Sequence, residues 1–299
     1  MMPQFSLSAN IEEQSGSDNY IATPNARSVA ASMFSSYQSG IHSFTIIGSY
    51  GTGKSSFLLA LEKDLLCAGE AYGFVPPHVF KKTLKCEVLK IVGDYKSMAS
   101  LLGAKLGVGL SADEALLALR DMYGRVRRKG KCLVIFVDEF GKVLEYAARH
   151  TPERELFFMQ RMAEYVNAPS HDIMLVTTLH QNFSAYARQL SDVQKEEWTK
   201  VKGRFKEIVF VEPVEQLLYL ASAQMMEENR PVHIPDSLAG LCQLAKDTRF
   251  VSGMFSSQMA AALYPLEPFS AYAMTQAIQR YGQNERSLFL FLKANEATL

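Results

Sequence analysis

A glycine-rich segment that ends in a lysine and a serine lies between an apolar run and an amphipathic run. It matches the pattern G-x-x-x-x-G-K-S from Gly48 to Ser55. Glycines let backbone N–H groups converge on phosphate oxygens, and a helix N-terminus after the loop favours an anion. The pattern predicts a loop that binds a nucleoside triphosphate, with Lys54 on the β- and γ-phosphates and the Ser55 hydroxyl on Mg²⁺. The predicted nucleotide-binding residues here are Gly48, Ser49, Tyr50, Gly51, Thr52, Gly53, Lys54, Ser55 and Ser56.

Two adjacent carboxylates, Asp138 and Glu139, follow the unbroken apolar run 132–137. Such a run is typical of a strand covered on both faces of a parallel sheet, and open α/β sheets place ligands at the carboxyl ends of their strands. We expect Asp138 to contact Mg²⁺ through water, and Glu139 to orient and deprotonate an attacking water. The alternative is an acidic cap on a helix that begins near Phe140, which would explain one carboxylate but not both.

Polar residues also end a second apolar run, 173–178, which continues as Thr-Leu-His-Gln-Asn from Thr178. At this edge of the sheet they would lie beside the γ-phosphate and could detect it. Thr178 and His180 are both candidates, and the sequence does not separate them. A histidine at the end of a strand is otherwise a hydrogen-bonded structural residue.

An arginine, Arg204, stands just before the late strand predicted over 207–211. It is placed to offer a guanidinium to the γ-phosphate of a neighbouring subunit, and is therefore included among the candidate catalytic residues. The alternative is a surface arginine with a carboxylate partner.

These residues require an α/β fold in which parallel strands alternate with helices. The first strand precedes the glycine loop, and further strand-like runs follow at 86–92, 132–139 and 173–178. From Pro213 onward strand-like runs stop and helical patterns follow one another. We therefore expect a flexible lead-in over 1–19, a P-loop ATPase core over 20–212 and an all-α lid domain over 213–299.

The composition of the 299 residues is that of a globular protein, with 48% hydrophobic residues and a formal net charge of zero. Zero net charge gives no global attraction to nucleic acid or membrane, so strong nonspecific DNA binding by the chain alone is not expected. A basic run, Arg125 to Lys131, is either a local nucleic-acid patch or the charged C-terminal turn of a helix that complements the helix dipole; we favour the second. With no signal-like start and no long apolar run, a cytoplasmic location is expected.

Taken together, the glycine loop, the Asp-Glu pair, the polar strand end, the Arg-Phe pair and the helical C-terminal part resemble the AAA+ ATPases. The resemblance is strongest to the branch that holds origin-recognition-type initiators and STAND signalling ATPases, and extends to ATPases of bacterial phage-defence and DNA-processing systems. It implies a parallel-sheet P-loop core with a helical lid, ATP and Mg²⁺ as cofactors, and a homo-oligomer in which Arg204 acts in trans. It also implies a second sensor, Arg286. The residue at the end of the polar strand is not the asparagine that is common in the family.

Two functions follow from this resemblance. The first is a regulatory or motor ATPase, acting as an oligomer with DNA or a protein effector as partner. The second is a nucleotide-gated binding module that clamps DNA or a partner protein with little turnover. A small-molecule kinase is disfavoured because the Asp-Glu pair and Arg204 suit water as the acceptor.

Overall fold

The computed structural model describes residues 10–13, 20–80, 85–109, 111–227, 235–251 and 255–281. These residues form two compact units. One unit contains the sheet and ends at Phe210, and the other contains the helices that follow.

A five-stranded parallel sheet in the order β2-β3-β4-β1-β5 forms the centre of the first unit. Strand β3 is buried along its whole length, and so is β4. Burial on both faces explains the long apolar runs in the sequences of these two strands. The strands are β1 Ser43–Ile47, β2 Cys86–Val92, β3 Cys132–Asp138, β4 Ile173–Leu179 and β5 Lys206–Val209.

Helices cover both faces of the sheet, and each face has its own hydrophobic core. Because successive strand residues point to opposite faces, Ile135 belongs to one core and Phe136 to the other. The first core also contains Trp198, and the second contains Phe57. The helices of this unit are α1 Pro24–Gln38, α2 Lys54–Leu66, α3 Met98–Leu106, α4 Ala112–Arg128, α5 Phe140–Arg149, α6 Pro152–Val166 and α7 Asp192–Lys202, with a 3-10 helix at Phe183–Ala187.

All secondary-structure elements in the described part of the second unit are helices, and they pack around a core that includes Leu218, Cys242 and Phe255. Its helices are α8 Val214–Glu227, α9 Ser237–Asp247, α10 Ser257–Leu263 and α11 Pro268–Tyr281. The helix predicted over 284–292 lies outside the described residues. Nowhere in the described part of the chain is a helix both long enough and apolar enough to cross a membrane.

The predicted fold class, a parallel α/β core followed by an all-α part, is confirmed. Each crossover between neighbouring parallel strands carries at least one helix, as parallel pairing requires. The sheet therefore brings the carboxyl ends of β1, β3 and β4 to one edge, directly beside one another. The predicted glycine loop, acidic pair and polar strand end all lie at the ends of these three strands.

Candidate functional site

The glycine loop connects β1 to α2 at the carboxyl edge of the sheet. Gly51 and Gly53 have φ angles of 71° and 87°, in the left-handed region that residues with a side chain rarely adopt. Gly53 is the N-cap of α2, and no side chain caps the helix. The first N–H groups of α2 therefore have no partner within the helix, which leaves them available to an anion.

Lys54, the first residue of α2, points its ammonium group back into this loop. Its Nζ donates hydrogen bonds to the carbonyl oxygens of Gly48, at 2.5 Å, and Ser49, at 2.8 Å. Burial lowers the pKa of Lys54 to about 8, while the charges of Asp138 and Glu139 act to raise it. The lysine of the loop and the acidic pair therefore lie within electrostatic reach of each other.

Strand pairing sets the position of the acidic pair. In β4, Thr178 lies beside Ile46 of β1, and the preceding Thr177 lies beside Val137 of β3. Asp138 is therefore level with Thr178, one strand away from it and two strands from β1. At a spacing of about 4.8 Å between strands, the acidic pair lies about 10 Å from the end of β1.

Asp138 is held by a compact hydrogen-bond network. Its Oδ1 accepts hydrogen bonds from Thr178 Oγ1, at 2.5 Å, and from the Glu139 N–H, at 3.0 Å. The same N–H also lies 3.0 Å from Thr178 Oγ1. Asp138 Oδ2 has no hydrogen-bond partner among the described residues, so this network fixes the carboxylate and leaves one oxygen for a ligand.

Glu139 lies between β3 and α5 with a φ angle of 52°, an uncommon conformation for a residue with a side chain. It occupies the N-cap position of α5, but its side chain makes no capping hydrogen bond. The carboxylate instead forms an ion pair with Lys142, one turn along α5. The capping alternative therefore does not account for Glu139, whose carboxylate is half exposed at the edge of the sheet.

Gly93, directly after β2, is a residue of this site that the sequence analysis did not single out. Its N–H donates to the carbonyl oxygen of Asp138 at 2.7 Å. A Cβ at this position would lie 2.4 Å from the carbonyl oxygen of Glu139, which only glycine avoids. A glycine directly after a predicted strand was the available signal for this close approach.

The structure separates the two candidate sensors, Thr178 and His180. Thr178 bonds Asp138 and the Glu139 backbone, as described above. The His180 ring instead contacts the Tyr186 hydroxyl, 3.1 Å from Nδ1, and burial lowers the pKa of His180. Gly141 makes room for this contact, because a Cβ there would lie 2.4 Å from the tyrosine oxygen. His180 lies near the site, since the charges of Lys54 and Glu139 act on it, but its hydrogen bond with Tyr186 is structural.

Arg204 lies at the opposite edge of the sheet from the loop. Its carbonyl oxygen accepts a hydrogen bond from Asn167, whose Oδ1 accepts the N–H of His42 just before β1. Six residues at about 3.3 Å each separate His42 from Gly48, a distance of about 20 Å. The Arg204 guanidinium forms an ion pair with Glu164 at 2.8 Å. This is the carboxylate partner expected if Arg204 is a surface arginine. Arg204 therefore does not reach the loop of its own chain.

Arg286, the predicted second sensor, lies outside the described residues.

The residues at the carboxyl edge fit a magnesium ion bound together with a triphosphate. The Ser55 hydroxyl makes no hydrogen bond to the described residues, and Asp138 offers Oδ2. No group of three or more potential side-chain ligands (His, Cys, Asp or Glu) occurs in the described part of the chain. Mg²⁺ at phosphate sites takes one or two protein oxygens and completes its shell with phosphate and water, so two oxygens are sufficient.

Comparisons with known proteins support the fold. No family model matches the chain, and no curated protein matches its sequence. Among solved structures, the chain is similar to the Aeropyrum pernix ORC2 protein in its ADPNP-ADP complexes, with a TM-score of 0.52 and 14% identity over 98% of this chain and 71% of that one. The ADP form of the same protein gives a TM-score of 0.50 and 15% identity over 97% and 70%. At these identities the likeness is one of fold alone.

Proposed function

We propose that this chain binds ATP with Mg²⁺ and hydrolyses it, as a regulatory or motor ATPase of the AAA+ type. The observation that carries the proposal is the hydrogen-bond network that joins Thr178, Asp138 and Glu139 beside the Lys54 loop. A glycine loop alone is a common turn, and an acidic pair alone can be a helix cap. Their meeting at one edge of the sheet, with the acidic pair fixed by a buried threonine, is the arrangement that phosphoryl transfer to water requires.

Each residue has a role that follows from its position. The N–H groups at the start of α2 and the ammonium of Lys54 hold the phosphates, after Lys54 leaves the carbonyl oxygens of Gly48 and Ser49. The Ser55 hydroxyl and Asp138 would hold Mg²⁺, which neutralises charge on the phosphates when it is bound.

Glu139 orients a water for in-line attack on the γ-phosphate and accepts its proton. To accept this proton, the Glu139 carboxylate must first break its ion pair with Lys142. Thr178 keeps Asp138 fixed during the reaction and transmits the state of the phosphates to the backbone at Glu139. Because charge stabilisation in a preorganised site supplies much of the rate enhancement, loss of a fixed group costs turnover more than binding.

The proposal is tested by separating binding from turnover. Glu139→Gln keeps the size of the side chain and removes the base, so it binds ATP but barely hydrolyses it. Equilibrium binding of ATP and steady-state phosphate release are measured on the same preparation. A Glu139→Gln variant with normal hydrolysis would remove Glu139 from this role.

A nucleotide-gated binding module with little turnover is the second candidate. The observation that favours it is the ion pair between Glu139 and Lys142, which holds the proposed base away from a water. In such a module, ATP binding changes the state of the site, and slow hydrolysis returns the site to its earlier state. Steady-state ATPase assays with and without DNA distinguish a DNA-stimulated motor from such a switch.

For assembly, we propose a homo-oligomer in which Arg204 of one subunit completes the site of the next. This proposal is supported by the distance between Arg204 and the glycine loop of its own chain, which is too long for Arg204 to act at the nucleotide site of that chain. DNA processing, or defence against phage and mobile elements, is the cellular setting that the resemblance to AAA+ ATPases suggests, with DNA or a protein effector as partner.

A further inference from the structure

The amino-terminal edge of the sheet, opposite the nucleotide site, carries a concentrated positive charge. Helix α4 ends there, and residues 120–131 contain six cations but only one carboxylate, Asp121, in a chain whose net charge is zero. We call these six residues the amino-edge surface: Arg120, Arg125, Arg127, Arg128, Lys129 and Lys131.

Most cations of this surface have no ion pair within the described residues, and in this they differ from several, though not all, of the other exposed cations of the sheet unit. Arg125, Arg127, Arg128 and Lys131 have no carboxylate partner among the described residues, and Lys129 has only Glu87 at 3.9 Å. In α7, by contrast, the exposed lysines are paired within 3.6 Å of a carboxylate: Lys195 with Asp192, Lys200 with Glu197 and Lys202 with Glu207. The four unpaired cations of the amino-edge surface therefore carry charge that no ion pair in the described structure offsets.

The helix dipole explains only part of this cluster. A cation in the last turn of a helix is stabilising, and Arg125, Arg127 and Arg128 all lie there. Like charges three and four residues apart repel, however, as Arg125 does with Arg128 and Lys129. The dipole favours the three arginines of the last turn but not Arg120, which lies further back in α4, so it does not explain the whole cluster.

Aromatic rings adjoin these cations. The Arg120 guanidinium lies 5.5 Å from the centroid of the Tyr165 ring, and the charge of Arg127 acts on the same tyrosine. The His171 ring lies 4.5 Å from Tyr165. Tyr165 and His171 are both partly exposed, so flat rings stand beside guanidinium groups on one surface.

We propose that the amino-edge surface binds the phosphodiester backbone of nucleic acid. Guanidinium groups match phosphate oxygens in geometry and charge, and rings next to them can stack on bases. Such contacts read the backbone rather than the sequence. The inference goes beyond ATP hydrolysis, since the surface lies at the other edge of the sheet and shares no residue with the nucleotide site. It also identifies where a chain with zero net charge carries the charge needed to bind a polyanion.

The test uses the full chain without nucleotide and a fluorescein-labelled DNA duplex, with the corresponding single-stranded DNA and RNA as further probes. Anisotropy is measured over a series of salt concentrations for the wild type and for the triple variant Arg125→Gln, Arg127→Gln, Arg128→Gln. Loss of three phosphate contacts reduces the slope of log K against log salt by about 3 for a duplex. If the two affinities converge near about 1 M salt, this change of slope gives an affinity loss of roughly 10²- to 10³-fold near about 0.1 M salt.

The matched control is the triple variant Lys195→Gln, Lys200→Gln, Lys202→Gln in α7, which changes the formal charge by the same amount. It is expected to bind like the wild type. A second triple variant, Arg125→Lys, Arg127→Lys, Arg128→Lys, keeps the charge and is expected to retain most of the affinity, which distinguishes loss of contacts from misfolding.

Three results would overturn the proposal: no nucleic-acid binding by the wild type, equal weakening by the α7 control, or equal binding of poly-glutamate, which would assign the surface to an acidic protein. Because the assay contains no nucleotide, Lys54→Ala is expected to bind nucleic acid normally. Failure of this inference is therefore distinct from failure of the proposed ATPase activity.

Discussion

Replacement of Thr178 by valine tests whether this threonine fixes the acidic pair. The side chain keeps its shape but loses the hydroxyl that donates to Asp138 Oδ1 at 2.5 Å, at a position that is 1% exposed. A hydrogen bond to a charged group contributes about 1.5–3 kcal/mol. At about 2–4 °C per kcal/mol for a unit of this size, the thermal midpoint is expected to fall by about 3–12 °C.

Turnover is expected to fall more than ATP binding. Asp138 keeps its bond from the Glu139 N–H, so it stays in place but turns more freely. Small displacements of a catalytic group cost up to about 10²-fold in rate, so we expect kcat to fall by about 10- to 100-fold. Binding of ATP, measured by titration, is expected to change by less than kcat, and Thr178→Ser is expected to restore most of the activity.

The neighbouring threonine is the matched control. Thr177 is equally buried, and its hydroxyl bonds only Thr45 Oγ1, at 2.9 Å, and the Phe44 carbonyl oxygen, at 3.1 Å. Thr177→Val is expected to cost about 0.5–1.5 kcal/mol with kcat unchanged, since no charged group is involved. If Thr178→Val hydrolyses ATP at the wild-type rate, or if the two valine variants lose turnover equally, Thr178 does not fix the acidic pair for catalysis.

Three further predictions concern Lys142, Arg204 and His180. Lys142→Met frees the Glu139 carboxylate from an exposed ion pair worth about 0.2–1 kcal/mol, so basal ATPase activity is expected to rise by about 1.4- to 5-fold; an unchanged or lower rate argues that the pair does not restrain the base. Arg204→Ala is expected to bind ATP normally but hydrolyse it more slowly, and wild-type hydrolysis would leave only the ion pair with Glu164 as its role. For His180, burial lowers the pKa, so the unfolded chain binds a proton more readily and stability falls as the pH drops through about 6.5. Denaturation midpoints recorded against pH are expected to show a shallower acid loss for His180→Gln, and parallel curves would contradict this.

The fold was predictable because its signals are local. The run 132–137 is apolar without interruption and lies within β3, and the helical pattern over 112–128 coincides with α4. The edge at which the site lies follows from parallel pairing, since the chain has helices between its strands. To predict these features, only the spacing of apolar residues and the chemistry of a glycine loop are needed.

The contacts that complete the site were not predictable, because they join residues far apart in sequence. The register of β3 against β4 decides that Thr178, and not His180, meets Asp138. The absence of a side chain at Gly93 matters only because the backbone at Glu139 passes so close to it. Similarly, a basic run in a sequence does not reveal which of its cations lack carboxylate partners.

The central claim is that the glycine loop and the acidic pair hold ATP together, and Lys54 tests it most directly. ATP is titrated with Mg²⁺ into the wild type, Lys54→Ala and Lys63→Ala, the last removing an equal charge from the same helix. The wild type and Lys63→Ala are expected to bind ATP, and Lys54→Ala is expected to show no measurable binding. Equal binding by Lys54→Ala and the wild type would show that the glycine loop does not hold the phosphates.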